Sequence, residues 1–189
     1  MTVPSPGNHA SLMPSAWVAR WASLVPAGAR VLDLACGTGR HARYFAARGC
    51  QVTACDRDAQ ALVGLLGVPG ITTHPADLED GSPWPFAAGS FDAVVVTNYL
   101  HRPLLGLIAG ALAPGGVLIY ETFAMGNERY GKPSSPKFLL QPGELLQAYA
   151  GLLQVAGFEQ GRVEHPKPAM IQRLCALRQA HPEALVPAA

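Results

Sequence analysis

Charge is scarce in this chain. Of its 189 residues only 14% are Asp, Glu, Lys or Arg, against a usual ~25%. The two signs nearly cancel, since 14 basic and 13 acidic residues leave a net charge of +1. No long run of one sign occurs, which argues against broad electrostatic capture of nucleic acid or of an anionic membrane. The opening residues MTVPSPGNHASLM lack both a basic n-region and an apolar h-region, so no signal peptide is expected. Long apolar runs are missing too. The least charged stretch, residues 104–120, is interrupted by Pro114-Gly115-Gly116, whereas a membrane span needs ~20 apolar residues. No transmembrane helix is expected, and the expected setting is cytoplasmic. The cysteines, Cys36, Cys50, Cys55 and Cys175, form no CxxC pair, and the histidines form no HxxxH pair. Both patterns argue against a metal site. Buried, reduced thiols are the expected state.

What the chain does have is apolar bulk. Hydrophobic residues make up 49% of it, too many for a disordered polypeptide. Its length suits one domain over residues 1–189 with no appended recognition module. Residues 1–14 read as a loose arm and 179–189 as a tail. Residues 15–25, SAWVARWASLV, suit a short helix with Trp17 and Trp21 on one face. From Arg30 onward strands and helices alternate. RVLDLA, QVTAC, ITTHP, FDAVVVT and GVLIYETF read as strands. RHARYFAARG, RDAQALVGLL (capped by Asp56), RPLLGLIAGALA and PGELLQAYAGLLQVAG read as helices, the last ending at Gly157. Residues 158–178 hold two strands joined near HPKP, and a connection that short makes them antiparallel. The fold class is therefore α/β: a doubly wound, mostly parallel sheet with an antiparallel element at one edge and helices on both faces.

The strongest chemical signal is VLDLACGTGR, residues 31–40. A strand runs into a Gly-x-Gly turn, and a helix follows. Glycines let the backbone turn sharply and let a ligand come close. A carboxylate inside the strand, Asp33, is costly without a partner and must face a cation or donor near the turn. Asp56 ends the second strand, where an acid can accept from ribose hydroxyls. Asp77 and Leu78 follow the third strand, where one can meet an exocyclic amine and the other a flat base. All lie at carboxyl ends of strands, beside the crevice in which open α/β sheets bind ligands.

These motifs, with FDAVVVTNYLH and ALAPGGVLIYETF, resemble those of class I S-adenosylmethionine-dependent methyltransferases over residues 15–178. The resemblance implies a Rossmann-like sheet of seven strands whose last strand is antiparallel. It implies S-adenosyl-L-methionine as cofactor, with S-adenosyl-L-homocysteine as product. It places Ala35, Cys36, Gly37 and Gly39 along the methionine part and Asp33 toward its ammonium. Asp56 would hold the ribose with Arg57 beside the adenine, and Asp77 and Leu78 would take the adenine edge and face. Thr97 and Asn98 would lie near the transferable methyl group, with Tyr99 and His101 facing the acceptor.

The expected function is methyl transfer to a small-molecule acceptor by in-line displacement, a reaction that rests on alignment and exclusion of water. A hydroxyl, neutral amine or carbon acid often needs a base. Candidates are His101, Glu121 and Tyr99, although Glu121 reads equally as a buried acid paired with Arg129 or another cation. Residues 124–138, AMGNERYGKPSSPKF, form a long polar segment read as an active-site lid or, alternatively, as a packed surface loop. YETF, GNERYG and FLLQPGEL together also resemble a group of small bacterial methyltransferases. Arg129, Lys132, Lys167 and Arg173 favour an anionic acceptor, and resemblance to thiol- and chalcogen-methylating enzymes keeps a soft nucleophile open. Two other functions compete. Gly37-x-Gly39-x-x-Ala42 also fits a nicotinamide dinucleotide fingerprint, which would make the chain an NAD(P)-dependent oxidoreductase. A non-enzymatic S-adenosylmethionine-binding protein is the third reading. No feature of the sequence sets the oligomeric state.

Overall fold

The computed structural model describes residues 13–179. Seven strands form one sheet: β1 (Arg30–Leu34), β2 (Gln51–Asp56), β3 (Ile71–Pro75), β4 (Phe91–Thr97), β5 (Leu112–Phe123), β6 (Gln154–Val163) and β7 (Ala169–Leu177). Their order across the sheet is β3-β2-β1-β4-β5-β7-β6. β1 to β5 pair in parallel, and β7 runs antiparallel to both β5 and β6. The doubly wound sheet read from the sequence is present, and its antiparallel strand lies inside the β6–β7 hairpin, one place in from the edge.

Helices α1 (Ala16–Trp21), α2 (Arg40–Ala47) and α3 (Ala59–Val63) cover one face; α4 (Leu105–Ala111) and α5 (Glu144–Tyr149) cover the other. Alternation along each strand divides the core between them. Val31, Ala93 and Val95 pack with Trp17, Phe45 and Leu65. Leu32, Leu34, Val94 and Val96 pack with Ile108, Leu145 and Tyr149. Trp17 and Trp21 meet edge to face at 5.5 Å, and Trp17 Nε1 donates to the Leu174 carbonyl, which docks α1 onto the sheet.

Three elements differ from the sequence reading. The helix expected over residues 142–157 ends at Tyr149, and β6 begins at Gln154. Gly157 therefore lies in a strand, beside a register shift between Val155 and Gly157. There a Cβ would stand 2.4 Å from Cζ2 of Trp21. The glycine is present to admit the indole, not to stop a helix. The helix after β2 is capped by Asp58, whose Oδ1 accepts from the N–H groups of Gln60 and Ala61. Asp56 is turned elsewhere. The helix after β4 starts as a 3-10 turn at Arg102–Leu104, and β5 takes over at Leu112, so Pro114-Gly115-Gly116 sits in the strand. The start of the N-terminal arm and the tail beyond residue 179 fall outside the described residues.

A buried polar group sits at the centre. Asp33 is 1% exposed. Its Oδ2 accepts from the Ala42 N–H at 2.8 Å. That N–H belongs to the first turn of α2, whose N-cap position is Gly39, a residue without a side-chain cap. The strand thus supplies the cap the helix lacks. Asp33 Oδ1 has no partner, and burial pushes the carboxyl up to about 7. Next to Ala42 in sequence, His41 is equally buried. Its Nε2 accepts from the Ser15 N–H at 3.1 Å, and its Nδ1 faces the Thr97 hydroxyl at 3.4 Å. Burial and Arg40 pull its pKa down to about 3.

Two outcomes follow. Gly157→Ala overfills the Trp21 contact and costs about 1–3 kcal/mol, read from the urea midpoint. The stability contributed by Asp33 is present below its ordinary 3.8 and is lost as pH rises to about 7. His41 has the opposite sign, losing stability as pH falls from 6.5 toward about 3. The two slopes offset each other in the wild type. Asp33→Asn keeps an acceptor for Ala42 and gains on the wild type as pH rises from about 4 to about 7. Paired urea titrations across that range check this, and a constant difference overturns it.

Candidate functional site

The parallel strands β1 to β5 bring their carboxyl ends to one edge of the sheet. An open cavity of about 420 Å3 lies along it. Its lining divides by strand. From the β1, β2 and β3 ends come Ala35, Asp56, Arg57, Asp77, Leu78 and Glu79. From the β4 and β5 ends come Asn98, Tyr99, Leu100, Thr122 and Phe123, and the long segment after β5 adds Pro133 and Phe138. The cavity straddles the boundary between β1 and β4, where the strand order reverses.

The turn after β1 is held from two sides. The Cys36 N–H donates to the Cys55 carbonyl and the Gly39 N–H to the Cys36 carbonyl. The Gly37 N–H donates to Asp56 Oδ2 at 2.7 Å, and Asp56 Oδ1 accepts from the Asp58 N–H at 2.9 Å. Each oxygen of Asp56 keeps a further lone pair for a ligand. The two glycines act differently. A Cβ at Gly37 would meet nothing within 4 Å, so its small size leaves open space, while a Cβ at Gly39 would stand 2.4 Å from the Leu65 side chain. Both have left-handed φ. So do Ala35 (φ 53°) and Asn98 (φ 56°), non-glycine residues at the ends of neighbouring strands, both lining the cavity. Strain of this kind clusters at ligand sites.

The structure brings Ala35, Asp56, Arg57, Asp77, Leu78, Asn98 and Tyr99 to one cavity. Asp33, Cys36, Gly37, Gly39 and Thr97 are not among its lining residues, although Gly37 is tied to Asp56 and Thr97 faces His41. The Cys36 thiol is raised well above its ordinary range by burial and by Asp33. Asp77 Oδ1 accepts from the Glu79 N–H, which closes the turn after β3. Tyr99 is raised by burial and by Glu79, so its phenol stays protonated.

The other base candidates stand apart. Glu121 is 8% exposed and accepts from Arg173 Nε at 2.5 Å, while Arg173 also reaches Glu159. Arg129 is not its partner. His101 lines a second cavity of about 420 Å3, with its Nδ1 3.6 Å from Glu79. Ala76, Asp77, Leu78 and Glu79 form the wall shared by the two cavities. Arg129, Lys132 and Lys167 are exposed and do not line the first cavity.

Sequence reasoning missed Arg102. Its Nη1 donates to the Lys137 carbonyl at 2.8 Å and its Nη2 to the Leu139 carbonyl at 2.9 Å, one on each side of Phe138. The same guanidinium forms a bidentate pair with Glu144 at 2.6 and 2.9 Å. Asn127 anchors the other end of the segment. It is buried, its Nδ2 donates to the Pro133 carbonyl, and its Oδ1 accepts from the Met170 N–H. A lone His-Arg-Pro after a strand carries no sequence signal for these contacts. The segment after β5 is thus tied at Asn127 and, around Phe138, by Arg102, and its Pro133 and Phe138 line the cavity.

Comparison with known proteins agrees with this geometry. Residues 31–116 match the methyltransferase domain family. The chain is 31% identical over 167 residues to the tRNA U34 carboxymethyltransferase of Methylococcus capsulatus, covering 77% of this chain and 49% of that protein. It is 39% identical over 110 residues to the ubiquinone biosynthesis O-methyltransferase of Xanthomonas axonopodis, covering 53% and 46%. The chain spans about half the length of these curated relatives. Among solved structures, an S-adenosylmethionine dependent methyltransferase from Mesorhizobium loti superposes with a TM-score of 0.68 at 19% identity, covering 87% of this chain and 99% of the other. The [4+2]-cyclase SpnF superposes at 0.67 with 14% identity, covering 87% and 80%. Such neighbours establish the fold and not the reaction. Residues 31–116 are therefore a methyltransferase domain, in a chain with the sheet order and glycine turn of class I S-adenosylmethionine-dependent methyltransferases.

Proposed function

We propose that the chain binds S-adenosylmethionine and transfers its methyl group to a small-molecule acceptor. One observation supports this most: a single cavity joins the Asp56 carboxylate, the turn of Asp77 and Leu78, and the strained Ala35 and Asn98. Asp56 has lone pairs for a ribose diol, and Asp77 has a free oxygen for an exocyclic amine. Leu78 offers an apolar face to a base, and Arg57 stands beside it. The open space at Gly37 admits a ligand chain along the turn of Ala35, Cys36 and Gly37. The residues present therefore fit the cofactor, which when bound supplies a methyl group activated on a sulfonium.

The protein's own part is to orient and to dry the site. Asn98 and Thr97 end the strand at the boundary between the two halves, next to Ala35 across β1 and β4. Tyr99 and Thr122 offer hydroxyls on the acceptor side. Pro133 and Phe138 close that side against water. Glu121 and Arg173, paired between β5 and β7, hold the sheet edge behind Thr122. A small acceptor suits a cavity of about 420 Å3 in a chain with a net charge of only +1. Among the described residues no helix is long and apolar enough to cross a membrane.

Calorimetry tests the cofactor. S-adenosylmethionine and S-adenosylhomocysteine are expected to bind, and NADH is not. Asp56→Ala is expected to weaken binding about 10–100-fold, equal to about 1.4–2.7 kcal/mol. Binding of NADH in place of both sulfur ligands would make the chain a nicotinamide protein instead.

A further inference from the structure

A buried histidine stands behind the end of β4. His41 lies in the first turn of α2. Its pKa is held down to about 3 by burial and by Arg40, so the ring is neutral. A neutral imidazole carries one N–H and one bare nitrogen, and here the surroundings decide which is which. Nε2 faces the Ser15 N–H at 3.1 Å. A backbone N–H only donates, so Nε2 is the bare nitrogen. The hydrogen therefore sits on Nδ1, which faces the Thr97 hydroxyl at 3.4 Å. Ser15 is itself fixed as the N-cap of α1, where its Oγ accepts from the Val18 N–H.

The consequence falls on Thr97. Its oxygen accepts from Nδ1–H, so its own hydrogen is not spent on the ring, and among the described residues nothing else takes it. Thr97 shares the sheet face of Val95, the face covered by α1 and α2. It is half-buried and stands one residue past the Leu34–Val96 pair, beside Ala35 and the start of the glycine turn. A hydroxyl hydrogen at that point needs a lone pair from the ligand. The ammonium and sulfonium of the cofactor are cations and accept no hydrogen bond, while its ribose and adenine belong to the β2 and β3 ends. Its carboxylate remains. Arg40 favours an anion there as well, since its charge acts on both His41 and Asp33.

Resting on the methyltransferase reading, we infer that the Thr97 hydroxyl donates to the carboxylate of the bound cofactor and that His41, locked as its Nδ1–H tautomer by the Ser15 N–H, is the positioning residue that aims it. This assigns Thr97 to the amino-acid end of the cofactor and not to the transferable methyl group. The direction of the relay matters. In the other tautomer Nδ1 would be bare, Thr97 would spend its hydrogen on the ring, and the carboxylate would meet an oxygen lone pair. A charged ring would fail too, because its Nε2–H would face the Ser15 N–H, donor against donor. The site therefore needs this histidine buried and neutral.

The test uses the full chain and two probes: S-adenosylhomocysteine, and 5′-methylthioadenosine, which lacks the amino-acid end. Long-range nitrogen–proton NMR of the ligand-free protein reads the ring, with the His41 signals assigned by their loss in His41→Asn. Nδ1 is expected to be protonated and Nε2 bare; a protonated Nε2 overturns the relay. Calorimetry reads the contact. Thr97→Val, close in shape but without the hydroxyl, is expected to weaken S-adenosylhomocysteine about tenfold and to leave 5′-methylthioadenosine within about twofold. Thr97→Ser is expected to stay within about threefold of the wild type for both. His41→Leu is expected to lose about as much S-adenosylhomocysteine affinity as Thr97→Val, and the double variant no more than Thr97→Val alone. His41→Asn, whose amide keeps a donor for Thr97, is expected to recover most of that loss. Equal losses of both ligands in Thr97→Val, or none, overturn the carboxylate contact. Additive losses overturn the role of His41, and if His41→Leu does not fold, the tautomer and the Thr97 variants still decide. If S-adenosylhomocysteine fails to bind the wild type, the methyltransferase reading fails first and the inference with it; if it binds and these differences are absent, the inference alone fails.

Discussion

The buried carboxyl of Asp33 is the constraint on which the site hangs. A carboxyl in a central strand is costly to bury, and here it is offset by the one donor that α2 leaves free beside it. Because Gly39 brings no side chain to the helix start, the helix is capped from the strand below. That ties the direction of α2 to the pleat of β1. The turn between them then has little freedom. Its glycines take left-handed φ, one to leave room over the cavity and the other to let Leu65 pack beneath. Asp56 adds the second tie by accepting from Gly37. Two carboxyls from adjacent strands thus shape the turn from below and from the side before any ligand arrives. Such preorganisation lowers the ordering that binding would otherwise have to supply.

Past that turn the sheet divides the chemistry. The β3 side of the boundary brings the three carboxyl groups Asp56, Asp77 and Glu79, with Arg57 and Leu78 beside them. The β5 side brings hydroxyls, an amide and apolar side chains. A sulfonium cofactor with a diol and an exocyclic amine matches the first set. The reversal of strand order between β1 and β4 puts the cavity where the sets meet. Strain at Ala35 and Asn98 lies on the same line. Backbone forced out of its preferred region on two neighbouring strands persists only where surrounding contacts overdetermine it. Here those contacts are the Asp56 tie to the glycine turn and the donation from the Asn98 N–H to the Glu121 carbonyl.

Most of this frame was legible in the sequence because it rests on local rules. The run FDAVVVT reads as a buried parallel strand, and the acids after three successive strands mark one edge. What was not legible rests on long-range contacts. Gly157 looks like a helix stop, but its role is set by Trp21, more than a hundred residues earlier. Asp56 looks like the cap of the next helix, but Asp58 stands two residues closer and frees Asp56 for the turn. Glu121 has the position of a catalytic acid, and nothing in its neighbourhood announces Arg173, which reaches it only because β7 pairs with β5 in reverse. The segment 124–138 reads as a lid because it is long and polar and leaves the active-site edge. Its tethers come from Asn127, which looks like any loop residue, and from Arg102, on the far side of β5.

That last pair bears on how the acceptor is chosen. A wall that closes only when the acceptor arrives spends binding energy on ordering itself, whereas one already held at both ends offers a fixed shape. Asn127 holds the Pro133 end and Arg102 the Phe138 end. Neither side chain belongs to the glycine turn or to the carboxyls that hold it, so the segment beside the cavity is set independently of that turn. A fold that carries many functions varies in the loops that follow its strands rather than in the strand ends themselves.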